Sequence, residues 1–528
     1  MSLRTLAVLG LASLAVAMPK DSPNAAHKRY IEERNGISYN VFKRAGEKSS
    51  LSYVTDSGIC ETTENVTQYS GYLDVGTDMN MWFWFFAARS EPTTAPLVLW
   101  LNGGPACSSM IGLFQEHGPC HFVDGSTEPS LNEYSWNSYA NMLYVDQPIG
   151  TGFSYGTDDA TSTVTAAEYV WTFLQNFYAA FPTYESRDFG LWTESYGGHY
   201  GPEFSAYFES QNAAIDAGTV TGEKINLVAV GINNGWIDPV LQYQAYPIFA
   251  YNNTYNQLIN ERQYEKYMDA YTEDCVPALA SCTGLTGNNK ACLSGGSTCA
   301  SAVESPIEDD NDFNVYDVLE PRSAQSTDPP ETYVDYLQNK TIMTAIGAQT
   351  TYQECPTGPY EKMVATGDGR WSCDLIYFYE AMMTNYGLLL HMYTESRSFL
   401  EPLSEVVQSG VNVLIWAGDL DWICNWYGSQ LVVNSINYTD SATFQSKELA
   451  EYTVDGTSYG QFKTVGNLNF LRVYEAGHEV PYYRKSKPIF GPIFIPCPFV
   501  QTLTNPAEPV AALQAFTQIM KGQALTST

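Results

Sequence analysis

Positive charge is scarce in this chain. Lys and Arg number 26 against 58 Asp and Glu, giving a formal net charge of -32 at pH 7 and a pI of about 4.4. A surface this acidic repels nucleic acid and anionic membranes, so neither is expected as a partner. It suits an acidic medium, and equally the solubility of a secreted protein. Long apolar runs are missing as well. Beyond the N-terminal segment no stretch reaches the roughly 18 residues of a membrane span. The tail after Lys521 is polar and carries no lipid-anchor signal. There is no C-x-x-C pair and histidines number only six, so the cysteine-rich stretch does not read as zinc-binding. The acidic run Glu308-Asp309-Asp310-Asn311-Asp312 lacks the glycine and terminal glutamate of a calcium loop and reads as a solvated turn. No metal and no cofactor is expected.

What is present begins at the N-terminus. Met1 to Ala17 has one arginine, a Leu/Ala/Val run and then Ala15-Val16-Ala17, the pattern of a secretory signal peptide. Lys28-Arg29 and Lys43-Arg44 read equally as processing sites of a propeptide within residues 18–44 or as paired surface charges. Secretion makes the eleven cysteines readable as disulfide partners, with at least one left over or paired between chains. Cys275, Cys282, Cys292 and Cys299 are spaced almost symmetrically, which suits nested bridges Cys275–Cys299 and Cys282–Cys292. Sequons at Asn65, Asn252, Asn339 and Asn437 fit a glycoprotein. At 528 residues and 44% hydrophobic, the chain can build one large domain with an insertion.

The pattern turns on Leu191-Trp192-Thr193-Glu194-Ser195-Tyr196-Gly197-Gly198. A buried strand runs into a helix through a serine, as in the G-x-S-x-G nucleophile elbow, with Thr193 in the place of the first glycine. β-Branched Thr193 predicts some strain at the turn. Tyr69 to Val75 and Met81 to Ala88 read as a strand pair at a sheet edge. Leu97 to Trp100 reads as a buried strand ending in Leu101-Asn102-Gly103-Gly104-Pro105, a loop able to aim amide N–H groups into a cleft. Met142 to Val145 and Leu227 to Ile232 are further strands, and Thr165-Ala166-Ala167-Glu168 matches a capping box opening a helix that Pro182 stops. From about Gln242 to Gln353 polar, cysteine-bearing sequence replaces the strands, as an inserted cap over the site would. Val411 to Trp416 ends at Asp419 and Asp421, and Phe470 to Tyr474 ends at His478. Serine, acid and histidine each follow a strand, in the order of an α/β hydrolase. The expected fold is α/β: a central, mostly parallel sheet, helices on both faces and a disulfide-rich cap. Its core spans 45–241 and 354–528, and the cap 242–353.

Longer motifs sharpen this. Trp100 to Ser109 resembles W-L-N-G-G-P-G-C-S-S, with Ala106 for a glycine; Glu194 to Tyr200 resembles E-S-Y-x-G-x-Y; Gly418 to Asn425 resembles G-D-x-D-x-x-C-N; Gly477 to Pro481 resembles G-H-x-V-P. Asp146 to Ser154, Asn234 to Pro239 and Asn314 to Asp317 add to the set. The chain resembles the serine carboxypeptidases, in particular secreted fungal ones, over nearly the whole mature sequence. The resemblance implies removal of C-terminal residues from peptides and proteins. Ser195 would be the nucleophile, His478 the general base and Asp421 its orienting acid, with Asp419 the alternative. Backbone N–H groups of Gly104 and Tyr196 would form the oxyanion hole. Asn102, Glu116, Glu194 and the Gly103 N–H would hold the substrate carboxylate. Cys424 matches a position that carries a thiol outside any disulfide, and Cys107 with Cys373 matches a family bridge. Cys60, Cys120, Cys355 and Cys497 have no assigned partners. An acyltransferase, a general esterase and an inactive binding protein are the rival functions; side-chain preference and a choice between monomer and dimer are not readable. Lys485 to Glu508, with its proline-rich apolar clusters, does not fit the family and reads as a translated intron or a lineage-specific loop, which sequencing of the transcript decides.

Overall fold

The computed structural model describes residues 27–44, 50–123, 126–325, 329–365, 396–482 and 508–528. The signal peptide, Cys373, Cys497 and residues 485–507 lie outside the described residues. The strands are β1 (Lys28–Arg34), β2 (Ile37–Lys43), β3 (Ser50–Thr55), β4 (Gln68–Gly76), β5 (Met79–Phe86), β6 (Leu97–Leu101), β7 (Cys120–His121) and β8 (Ser130–Leu131). After them come β9 (Asn141–Asp146), β10 (Tyr155–Gly156), β11 (Asp188–Glu194), β12 (Asn226–Asn233), β13 (Asn412–Gly418), β14 (Ala450–Val454), β15 (Thr457–Val465) and β16 (Leu468–Val473). One sheet takes the order β1-β2-β3-β4-β5-β9-β6-β11-β12-β13-β16-β15-β14, with β10 beside β5. Its centre, β9 through β16, is parallel. Both flanks are antiparallel.

Central strands are covered on both faces, which is why they read as unbroken apolar runs. Every residue of β6, β9 and β13 is buried. The two-residue period still sorts the faces. Trp100, Trp192 and Trp416 share one core with Trp136 and Phe516. Leu99 and Leu191 share the other with Phe173 and Phe177 of helix α1 (Thr163–Ala180) and Phe204 of helix α2 (Gly197–Asp216). Phe516, on the C-terminal helix Glu508–Met520, stacks on Trp136 with ring centroids 4.2 Å apart.

Several expectations change. β4 and β5 are not at the edge, because β1 to β3 extend the sheet beyond them. In β2, Tyr39, Val41 and Phe42 are buried, so a stretch read as propeptide supplies strands. A cut after Arg44 would remove β1 and β2, whereas a cut after Arg29 would spare most of β1. The capping box of α1 lies one turn earlier than expected. Ser162 Oγ accepts from Thr165 N–H at 3.2 Å, and Thr165 Oγ1 accepts from Ser162 N–H at 3.0 Å. A threonine hydroxyl serves where a glutamate was looked for.

Within 242–353 the described residues form helices, beginning with α3 (Pro239–Asn252), and isolated bridges in place of strands. Among the described residues the disulfides are Cys60–Cys120, Cys107–Cys355, Cys275–Cys299 and Cys282–Cys292. Cys107 thus pairs with Cys355 and not with Cys373. The reason is local: Gly152 and Gln353 exchange backbone hydrogen bonds of 2.8 and 3.1 Å, and Ser108 N–H donates to Glu354 O at 2.8 Å. These contacts lay residues 353–355 alongside the Cys107 loop.

Candidate active site

The C-terminal ends of the parallel strands gather the candidate residues, as open α/β sheets do. Ser195 follows β11 directly and has φ +61°, in the left-handed region. Strain expected at Thr193 therefore falls on the serine. Thr193 stays in the strand, and its hydroxyl donates to Gly197 O at 2.8 Å. The turn is locked by Ser195 N–H on Asn233 O at 3.0 Å and by Gly198 and Trp236 N–H groups on Ser195 O, each at 2.9 Å. Gly198 has no alternative, since a Cβ there would meet the Trp236 backbone at 2.3 Å.

Asp421 and His478 come together. Asp421 is fully buried, and its Oδ2 accepts from His478 Nδ1 at 3.1 Å, Asn234 Nδ2 at 2.7 Å and Cys424 N–H at 3.1 Å. An imidazole donating from Nδ1 keeps Nε2 for taking up a proton. The loop carrying His478 is pinned too: its N–H donates to Tyr316 O at 3.0 Å, and its O accepts from Asn233 Nδ2 at 3.0 Å. Asp419 is engaged elsewhere. It accepts from Arg472 Nη2 at 2.8 Å, Tyr255 OH at 3.1 Å and Glu475 N–H at 2.8 Å. Burial, partly offset by Arg472, pushes its carboxyl up to about 6. Cys424 is buried outside any disulfide. Asp421, Cys424 and His478 bring one ligand atom each within 4.8 Å of one another. Within that set His478 Nδ1 is already engaged by the Asp421 carboxylate.

A second cluster adjoins the elbow. Asn102 Oδ1 accepts from Trp100 Nε1 at 2.7 Å and Gly112 N–H at 2.9 Å. Its Nδ2 then faces two acids, Glu194 Oε1 at 3.2 Å and Glu116 Oε1 at 3.4 Å. Asn233 Nδ2 reaches Glu194 Oε2 at 2.6 Å. Burial first, and the negative charge of Glu479 second, holds Glu116 well above the usual carboxylate range. Burial and the charge of Glu116 do the same to Glu194. Like charges this close in an apolar setting do not all ionise. Asn233, the last residue of β12, and Asn234 and Glu479, within the Asn234 to Pro239 and Gly477 to Pro481 motifs, join the site without a local pattern that marks them.

The glycine loop lies on the elbow. A Cβ on Gly103 would sit 2.5 Å from Tyr196 N and 2.9 Å from Ser195 Cβ. Gly104 has φ +108°, which favours glycine. Cys107 N–H closes the loop on Gly103 O at 3.1 Å.

Comparison with known proteins identifies the family and the fold. Residues 58–489 match the serine carboxypeptidase family profile. Carboxypeptidase S1 of Penicillium janthinellum is 54% identical over 476 residues, covering 90% of this chain and 100% of that protein. Carboxypeptidase S1 homolog A of Arthroderma otae is 33% identical over 544 residues, covering 89% and 79%. The crystal structure of Kex1, a prohormone-processing carboxypeptidase from Saccharomyces cerevisiae, matches the fold with a TM-score of 0.65 at 22% identity, over 81% of this chain and 90% of that one. Among the described residues no helix is long and apolar enough to cross a membrane. The chain belongs to the serine carboxypeptidase family and is a serine-type carboxypeptidase on an α/β-hydrolase fold.

Proposed function

We propose that the protein is a secreted exopeptidase that removes C-terminal amino acids through an acyl-enzyme on Ser195 and works best in acid. The observation that carries this reading is the Asn102 amide held between two buried carboxyls, Glu116 and Glu194, one residue from the elbow serine. A proton retained on these acids lets them donate to a substrate carboxylate that ionised acids would repel. The Gly103 N–H completes the clamp, so the scissile bond falls one residue inward, over Ser195.

Ser195 Oγ attacks that carbonyl and its proton passes to His478 Nε2. The negative charge on the carbonyl oxygen is met by the N–H groups of Gly104 and Tyr196. Collapse breaks the C–N bond, and the leaving amine takes the proton from His478. Water then gives a proton to His478 and its oxygen to the acyl carbon; the proton returns to Ser195 as the ester breaks. Asp421 keeps the imidazole oriented and offsets its charge while it is protonated.

Secretion is supported by the signal-peptide pattern, by four disulfides among the described residues and by the exposure of all four sequon asparagines. The test is a panel of N-blocked dipeptides assayed across pH. Release of the free C-terminal amino acid, abolished by Ser195→Ala, is the expected result. Acyl transfer to an alcohol with no amino-acid release would favour an acyltransferase. Failure of a fluorophosphonate to titrate Ser195 would mean an inactive binding protein.

A further inference from the structure

We infer that Asp146 is a positioning residue for the oxyanion loop: its carboxyl, at the C-terminal end of β9, holds residues 102–110 in the shape that aims the Gly104 N–H. This rests on the reading of Gly104 as an oxyanion donor. Asp146 is fully buried. Its Oδ1 accepts from the Ser108 hydroxyl at 2.6 Å and from Ser109 N–H at 3.1 Å. Its Oδ2 accepts from Phe153 N–H at 2.9 Å. One carboxyl thus ties two separate loops to one strand end.

The neighbouring atoms extend the tie. Ser109 Oγ donates to Val145 O at 2.6 Å and accepts from Asn102 N–H at 3.4 Å, so both ends of the glycine loop are fixed to the end of β9. Thr151 Oγ1 donates to Ala106 O at 3.3 Å, joining the second loop to the first. Gly152 passes so close that a Cβ there would lie 1.9 Å from Asp146 Oδ2. On the far side the loop is held by the Cys107–Cys355 bridge and by Ser108 N–H on Glu354 O. The loop is therefore gripped from two sides, and Asp146 is the side-chain half of the grip.

A buried carboxyl is costly to keep unless all its oxygens are used. Here each oxygen is used, and the donors are a hydroxyl and two backbone N–H groups. When the carboxyl holds a proton, the Ser108 hydroxyl can turn to accept it and all three contacts survive, whereas an amide aims a second hydrogen at the Ser109 or the Phe153 N–H, whichever way it flips. The first of these donors, Ser108, is four residues past Gly104 and directly follows the turn around Gly104 that Cys107 N–H closes on Gly103 O. A shift of Ser108 and Ser109 is thereby passed to Gly104. Oxyanion donors act over a narrow range of position, and a displacement of about 1 Å costs roughly a hundredfold in rate.

The test uses the full-length enzyme, with Asp146→Asn and Ser108→Ala beside Ser195→Ala. For Asp146→Asn, kcat on a blocked dipeptide is expected to fall about tenfold to a hundredfold, with KM within about twofold. Ser108→Ala loses one of the contacts and is expected to fall several-fold in the same sense. A peptide aldehyde, which forms a tetrahedral adduct on Ser195, should weaken in step with kcat/KM, while a product inhibitor held only by its carboxylate should not. If both folded variants keep kcat within about twofold, or if the loss appears in KM alone, the inference is wrong. Should Asp146→Asn not fold, Ser108→Ala decides. Activity surviving in Ser195→Ala would sink the acyl-enzyme reading instead, so the two failures are distinguishable.

Discussion

At the scale of single residues, the two acids of the Gly418–Asp421 turn separate cleanly. Asp421 takes His478 Nδ1, and Asp419 takes Arg472. Asp421→Asn is expected to cut kcat by about ten-thousandfold with the fold intact, because the imidazole loses its orienting acceptor. Asp419→Asn should lower the melting temperature more than kcat. Parallel kinetics and thermal melts check both. The clamp makes a second prediction. On the proposed reading Glu116 and Glu194 bind the substrate carboxylate while they hold a proton, and burial raises the proton affinity of both. KM for a free-acid peptide should therefore be low in acid and climb as rising pH strips these protons, while KM for the matching amide changes little. A flat KM from about pH 4 to about pH 8 would contradict the clamp.

Elements and their ties come next. The strip 353–355 docks on the glycine loop through backbone bonds, and the disulfide follows from that docking. Proteolysis of the non-reduced protein and mass spectrometry should give a peptide pair joining Cys107 to Cys355; a pair joining Cys107 to Cys373 would overturn the arrangement. The C-terminal helix packs into the core through Phe516, stacked on Trp136 and edge-on to Trp192 at 5.0 Å, beside Ala511, Ala515 and Ile519. Phe516→Ala is expected to cost about 3–5 kcal/mol in unfolding free energy through the cavity it leaves. Denaturant melts measure it, and a loss well below that range would mean the helix is held by other contacts.

For the whole molecule, the sign of its buried titrations sets the pH of greatest stability. Burial raises Asp146 to about 7 and Asp419 to about 6, and raises Glu116 and Glu194 as well. Between about pH 4 and these values the folded chain holds protons that the unfolded chain has lost, so stability falls as pH rises. Two buried imidazoles act the other way. Burial lowers His199 to about 3 and lowers His117 well below its usual range. Below about pH 6.5 the unfolded chain gains their protons first, which disfavours the fold in acid. Four carboxyls outweigh two imidazoles down to about pH 4, where the carboxyls of the unfolded chain protonate as well. The melting temperature is therefore expected to peak in mild acid and to drop toward both about pH 3 and about pH 7.5. Scanning calorimetry across pH checks this; a maximum at or above neutrality would contradict it.

Much of the site was legible because it is written in local terms. Apolar runs covered on both faces announce the strands, and the residue just past each run lands at one end of the sheet. Ser195, Asp421, His478 and Asn102 could be placed that way. The edge strands β1 to β3 were missed, because half-buried alternation in Ser38 to Phe42 is a faint signal beside the nearby basic pairs. The partner of Cys107 is 248 residues away, and no local pattern encodes that pairing. Sequence by itself determined the family, the order of the candidate catalytic residues and the elements that carry them. Only the tertiary structure decided which acids share a buried space, which of the two aspartates meets the histidine, and that Asp146 grips the glycine loop. Those outcomes depend on distances and on exclusion of water, which arise when segments far apart in the chain pack together.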